Sequence, residues 1–181
     1  MTYRWYDAVG RALSEGRLHT LSDRSLVINL VASTLVFYAA ARLYVLPQLG
    51  VWRDRTILLP ILLLHSFRHL GLMFIAPGVT HPGIPVQFAY PAALGDLIAA
   101  VLAFAALVAV VRDHPAQRGL LWVFNVEGTL DLLLATVTAT VFGAPPYMSA
   151  AYWIPAFWVP ALLVTHYIVF LVLLGVRRSA G

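Results

Sequence analysis

Five apolar stretches, at Leu26–Leu46, Ile57–Ala76, Pro91–Val111, Leu120–Phe142 and Tyr152–Val176, fill most of the sequence. Each is close to the roughly 20 residues that a helix needs to cross a bilayer. The connections LPQLGVWRDR, PGVTHPGIPVQFAY, RDHPAQR and GAPPYMS are too short to leave room for a separate soluble domain. Lipid also forbids unpaired backbone polar groups, so consecutive spans must be helices that run antiparallel. The expected fold is an all-α integral membrane protein, a five-transmembrane up-and-down bundle over residues 26–176.

Composition fits that solvent. The chain is 61% hydrophobic and 11% charged, against about a quarter charged in ordinary soluble domains. Without cysteine, neither disulfides nor thiolate-bound metal centres are available. All 12 Lys and Arg residues are Arg, and all but Arg42 and Arg68 flank the apolar runs. That distribution sets membrane topology and is not a nucleic-acid patch. Arg53 with Arg55, Arg112 with Arg118, and Arg177 with Arg178 occupy alternate connections, while the loops around residues 77–90 and 143–149 carry none. Positive residues stay inside, so the C-terminal tail, 177–181, is expected in the cytoplasm of a cell (inner) membrane protein and the N-terminus outside. Arg4, Arg11, Arg17 and Arg24 run against this pattern. Residues 1–25 read as an amphipathic interfacial helix with Trp5, Tyr6, Val9 and Leu13 on one side. No apolar core follows their positive charges before Leu26, so the segment is expected to be retained.

Polar residues inside the spans narrow the search for a site. In span two, ILLLHSFRHLGLMF places His65, Arg68 and His69 at i, i+3 and i+4, one face of an α-helix. Span four, WVFNVEGTLDLLL, carries Asn125, Glu127 and Asp131; span three carries Asp96 and span five His166. At ~1.5 Å per residue, Arg68, His69 and Asp131 fall within about 5 Å of one level, with the others close to it. An ionised side chain near the bilayer centre costs at least ~2.5–3.5 kcal/mol, so these groups are expected to face inward and meet. Span two is expected to pack against span four, with Arg68 within salt-bridge distance of Asp131. Three carboxyls face one deep arginine, so protonated groups or a bound cation must relieve the excess negative charge.

Some of these residues also have a purely structural reading. Arg68 with Asp131 would fix helix register, a lone histidine would bond between helices, and Asp96 after Gly95 would sit at a close helix contact or face water. Gly71, Gly95 and Gly128 allow close approach. Pro60, Pro155 and Pro160 lie inside spans, and span five is expected to bend near Trp158. HExxH, Gly-rich phosphate loops, GxSxG and CxxCH are not in the sequence.

The segments HSFRHLGLMFIAPGV, FAYPAALGDLIAAVLA, WVFNVEGTLDLL and AYWIPAFWVPALLVTH resemble those of small uncharacterised bacterial multi-span membrane proteins. That resemblance covers spans two to five and implies no activity, cofactor or catalytic residue. In length and span number the chain is also similar to the tryptophan-rich sensory protein (translocator protein) family, which binds porphyrins and sterol-like ligands. That family's proline and tryptophan signature is not found here, so none of its residues is carried over.

The expected function is a membrane carrier or small-molecule-binding protein with a proton- or ion-linked cluster of His65, Arg68, His69, Asp96, Asn125, Glu127, Asp131 and His166. The bilayer and a small molecule or ion are the expected partners, with a second copy of the chain supplying surface that so short a bundle lacks. Two alternatives belong to other classes. One is a redox subunit in which His65, His69 and His166 hold haem b or a transition metal. The other is an accessory subunit whose polar cluster only specifies assembly. An intramembrane enzyme acting on a lipid has no motif to support it.

Overall fold

The computed structural model describes residues 17–176, with side chains from Arg24 onward. The N-terminal amphipathic segment lies largely outside these residues, as does the tail after Val176. From Arg17 the backbone is already helical and continuous with span one.

Helix α1, Arg17–Ala40, runs into a π-turn at Ala41–Val45 and a short 3-10 turn at Leu46–Gln48. Helix α2, Asp54–Ser66, continues as eight residues of 3-10 helix, Phe67–Phe74. Helix α3 is Val86–Val111 and α4 is Gln117–Val141. Two 3-10 turns, Pro145–Tyr147 and Ser149–Tyr152, and a π-turn at Ile154–Trp158 lead into α5, Val159–Leu173. Five runs are long and apolar enough to cross a membrane: Arg24–Gln48, Asp54–Phe74, Val86–Val111, Gln117–Val141 and Ser149–Leu173.

Span three begins five residues before the expected Pro91. Proline at the head of an apolar run reads as a first helical residue, yet here Pro91 sits inside α3. Its missing N–H costs one bond in the second turn, while Phe88 and Ala89 start the helix by donating to the Pro85 carbonyl at 3.1 and 2.9 Å. In span five, Pro155 and Pro160 do break regularity, and the π-turn at Ile154–Trp158 occupies the position of the expected bend. Pro60 is absorbed within α2.

Contacts between connections establish the antiparallel order. Arg55 pairs with Asp113 at 3.3 Å and donates to the Val111 carbonyl at 2.8 Å, joining the first and third connections. Arg118 donates to Leu173 O at 3.0 Å, which puts the end of α5 there as well. At the opposite end His81 N–H donates to Tyr147 O at 2.9 Å, joining the second and fourth connections. Tyr152 accepts from Asn29 at 2.9 Å and donates to Ser25 at 3.3 Å, tying the start of span one to that same Arg-poor end. Helix α4 stops there in a left-handed Gly143, φ 61°, with Ala144 N–H returning to Ala139 O at 2.8 Å.

Span three is the centre of the bundle, packed on α2, on the 3-10 segment and on α4. Its sequence explains this. Ala92, Ala93, Ala99, Ala100, Ala103 and Ala106 are all buried, and small side chains let backbones close up where lipid supplies no hydrophobic drive for association. Span two therefore packs along span three and also meets span five; the expected packing of span two against span four gives way to side chains that reach across. Span one is peripheral, lying against α5 and the π-turn, with Ile28 66%, Leu35 63% and Val36 68% exposed.

Close approach is tightest beside the acidic residues. A Cβ at Gly95 would run into the Asp131 carboxylate, whereas at Gly119 it would meet nothing within 4 Å. Gly95→Ala should therefore destabilise the bundle by about 1–3 kcal/mol. Gly119→Ala should be neutral or stabilising by up to ~1 kcal/mol. Thermal unfolding of the two variants in the same detergent measures the contrast; equal behaviour would refute the packing.

Candidate functional site

The change of helix type after Ser66 decides which polar groups meet. In a 3-10 helix residues three apart eclipse, and the positions at that spacing, His65, Arg68, Gly71 and Phe74, are all buried. An α-helix would hold His69 within about 40° of His65; the tighter winding swings it away. His69 is exposed, with Nδ1 2.9 Å from Ser66 O. This corrects the expectation that His69 belongs to the cluster.

Arg68 is 1% exposed and its guanidinium is held on three sides. Nε donates to Asp96 Oδ1 at 2.7 Å, Nη2 to Asp131 Oδ2 at 2.5 Å, and Nη1 to the Gly128 carbonyl at 3.1 Å. The expected Arg68–Asp131 pair is present, and Asp96 is a second partner of equal standing. One side chain thus links spans two, three and four. The glycines make this reachable: Gly71 packs directly on the Asp96 carboxylate, Gly95 on that of Asp131, and Gly128 on Arg68 and His166. Each would be overlapped by a Cβ. Glu127 is half-buried on the next turn of α4 and its Oε2 has no partner among the described residues. Two ionised aspartates around one guanidinium leave the cage with a net charge of −1, before Glu127 is counted.

A second buried layer adjoins the cage at Gly128. The rings of His65 and His166 touch, with centroids 4.2 Å apart, and Phe124 flanks both at 5.0 and 5.1 Å. The Thr165 hydroxyl gives its one hydrogen to its own helix, at Leu162 O 2.9 Å or Ala161 O 3.0 Å. The same oxygen lies 2.9 Å from His65 Nε2, and with its hydrogen on the helix carbonyl it accepts from the Nε2–H tautomer. Asn125 donates through Nδ2 to His166 O at 3.2 Å, so its Oδ1 accepts from His166 Nδ1 at 2.7 Å. The remaining ring nitrogens, His65 Nδ1 and His166 Nε2, are buried without a hydrogen-bond partner among the described residues. Thr165 was not singled out from the sequence; its neighbour His166 was the only local signal.

A cavity of about 240 Å³ opens between the 3-10 segment of span two and the π-turn of span five. Phe67, Trp153, Phe157 and Trp158 wall it, and among the described residues Arg68 and Asp96 are the charged ones that line it. Trp158 Nε1 is buried and unpaired. On the other side of Asp96 and Ile154 lies a smaller apolar cavity of about 120 Å³, bounded by spans one, three and four. Asp96 therefore stands between two cavities, a position that the sequence alone did not disclose.

The histidines do not fit haem. Two axial imidazoles, each about 2 Å from the iron, need ring centroids roughly 6 Å apart with the porphyrin between them. The rings of His65 and His166 are in contact at 4.2 Å, and His69 faces away. Nor do three or more His, Cys, Asp or Glu side chains converge as a metal site among the described residues.

The cage makes a sharp demand on chemistry at position 68. Arg68→Met would leave two buried carboxylates unpaired and should destabilise by about 3–5 kcal/mol. Arg68→Lys keeps the charge but cannot fork toward three acceptors, so it should still be clearly less stable than the parent, by on the order of 2 kcal/mol. A lysine variant that melts with the parent in detergent would show that charge alone suffices.

No curated protein and no solved structure matches the chain. Residues 25–174, which hold all five spans and every residue of the cage and the histidine layer, match a domain of unknown function, DUF8737, and the chain belongs to that family.

Proposed function

We propose that the chain is a membrane-embedded small-molecule-binding protein or carrier, with the Arg68–Asp96–Asp131 cage as the proton- or ion-linked floor of its binding cavity. The observation that carries this reading is the position of Asp96. It is bonded to a buried arginine on one side and lines an aromatic-walled cavity on the other. That cavity lies between two non-α segments, and irregular helices at membrane depth recur where a binding site is lined. An ion pair serving assembly alone requires no such opening.

Linkage to protons or ions follows from charge balance. A cage of net charge −1 with Glu127 beside it is unfavourable in low dielectric unless a proton or cation joins it. Glu127 takes no part in the hydrogen bonds that hold Arg68, so it can gain or lose charge without dismantling the cage. His65 and His166, in contact across the next layer, are the nearest groups through which a proton would pass. In the proposed topology the arginine-bearing end, with the C-terminus, faces the cytoplasm of the cell membrane.

Trp153 and Trp158 on the cavity wall provide the assay. In lipid nanodiscs, at least one of a set of neutral, cationic and anionic aromatic probes should quench tryptophan emission saturably, with an affinity that varies between about pH 5 and about pH 8. Glu127→Gln should shift that pH dependence while leaving thermal stability equal or higher. A variant that melts markedly earlier with the parent's pH profile would make Glu127 a structural partner. Absence of saturable quenching by every probe would overturn the binding function itself. Reporter fusions within residues 77–90 and 143–149 should both report the non-cytoplasmic side; cytoplasmic signal from either would reverse the topology.

A further inference from the structure

The two charged residues that line the cavity, Arg68 and Asp96, are not equally available to a ligand. Every nitrogen of the Arg68 guanidinium already donates to an acceptor: Asp96, Gly128 O or Asp131. Nη1 and Nη2 each keep a second N–H, but an anion entering the cavity would add to a cage that two ionised aspartates bring to −1. The Asp96 carboxylate is differently placed. Oδ1 takes the Arg68 Nε bond, while Oδ2 accepts nothing from the described residues and packs against Gly71 on the cavity wall. Acceptor capacity and net negative charge are therefore what the floor presents.

The walls point the same way. Phe67, Trp153, Phe157 and Trp158 line a space of about 240 Å³. Aromatic faces attract a cation positioned over them, most strongly where water is excluded. Trp158 Nε1, buried and without a partner among the described residues, can donate one hydrogen bond to an acceptor but brings no charge to neutralise an anion. The rest of the lining is aliphatic, so the body of the occupant must be apolar.

We propose that the cavity between the 3-10 segment of span two and the π-turn of span five binds lipophilic organic cations, ammonium-type molecules with an apolar body, with Asp96 as counter-charge and the four aromatic residues as a cation-binding wall. This rests on the binding function proposed above and specifies its ligand class. Arg68 is a positioning residue here: it holds Asp96 Oδ1, so that Oδ2 is the oxygen left for the ligand.

A matched set of three probes tests it on the full chain in nanodiscs, by tryptophan quenching and calorimetry. Benzyltrimethylammonium is the cation, neopentylbenzene its uncharged isostere, and phenylacetate the anion. The cation should bind about tenfold or more tighter than the isostere, and the anion weakest. Asp96→Asn should remove the cation's advantage. Phe157→Leu leaves the cage and both reporter tryptophans intact, so it guards against a misfolded Asp96 variant; it should weaken the cation several-fold and the isostere less. Equal binding of cation and isostere would overturn the charge preference while leaving a binding cavity. Tightest binding of phenylacetate would overturn it in favour of recognition by Arg68. Quenching by none of the three would remove the binding function and this inference together.

Discussion

An apolar interior cannot solvate a charge, and the structure is arranged around the one arginine that is buried among the described residues. Arg68 is tolerable there because spans three and four bring two carboxylates and a carbonyl to it. That requirement propagates outward. The carboxylates reach the guanidinium only because Gly71, Gly95 and Gly128 withhold side chains where a Cβ would overlap Asp96, Asp131 or His166. The glycines in turn work only if the helices stay close, which the alanine face of span three secures. Ionic pairing, small-residue packing and helix geometry are here one constraint seen at three scales.

Irregular helix is where the bundle departs from a plain set of crossing rods, and it does so on both sides of the larger cavity. The 3-10 segment of span two faces the π-turn of span five, and between them the wall is aromatic with Asp96 at its floor. Neither segment is a defect of an otherwise regular helix. The first aligns His65 and Arg68 with Gly71 so that all three point inward. The second follows from Pro155 and Pro160, which prevent regular α-geometry at the start of span five. Asp96 also borders the smaller cavity, so a carboxylate that lines both spaces is held through Oδ1 by the arginine.

Much of this was legible in the sequence, for identifiable reasons. The five long apolar runs were visible because lipid demands length and composition, both of which survive any error in boundaries. The Arg68–Asp131 pair was legible because depth along a span can be counted and an unpaired charge is so costly. His65, Asn125 and His166 were recognised as buried on the same grounds. What failed had a common cause, the assumption of 3.6 residues per turn. It placed His69 beside His65, whereas the 3-10 winding turns it to the outside. Asp96 was placed among the three carboxyls facing Arg68, but its direct bond was not singled out, because lateral placement of span three between spans two and four is not encoded in depth. Thr165 and the aromatic wall were missed because hydroxyls and tryptophans in spans are common, and only tertiary geometry gives these particular ones a neighbour. Pro91 misled by looking like a first residue when α3 had room for a full turn before it.

Span two is also the shortest of the five, at 21 residues against 25 or 26 for the rest. As unbroken α-helix it would rise roughly 31–32 Å, several ångströms less than its neighbours. The 3-10 stretch climbs about 2.0 Å per residue where α climbs 1.5 Å, so eight such residues lengthen the span to roughly 35 Å. The winding that turns Arg68 inward therefore also makes up most of the thickness that this helix lacks. Rewinding it to α would retract one end of span two by about 4 Å and rotate the arginine off its carboxylates in a single screw movement. The length of span two and the integrity of the cage are thereby linked through one segment.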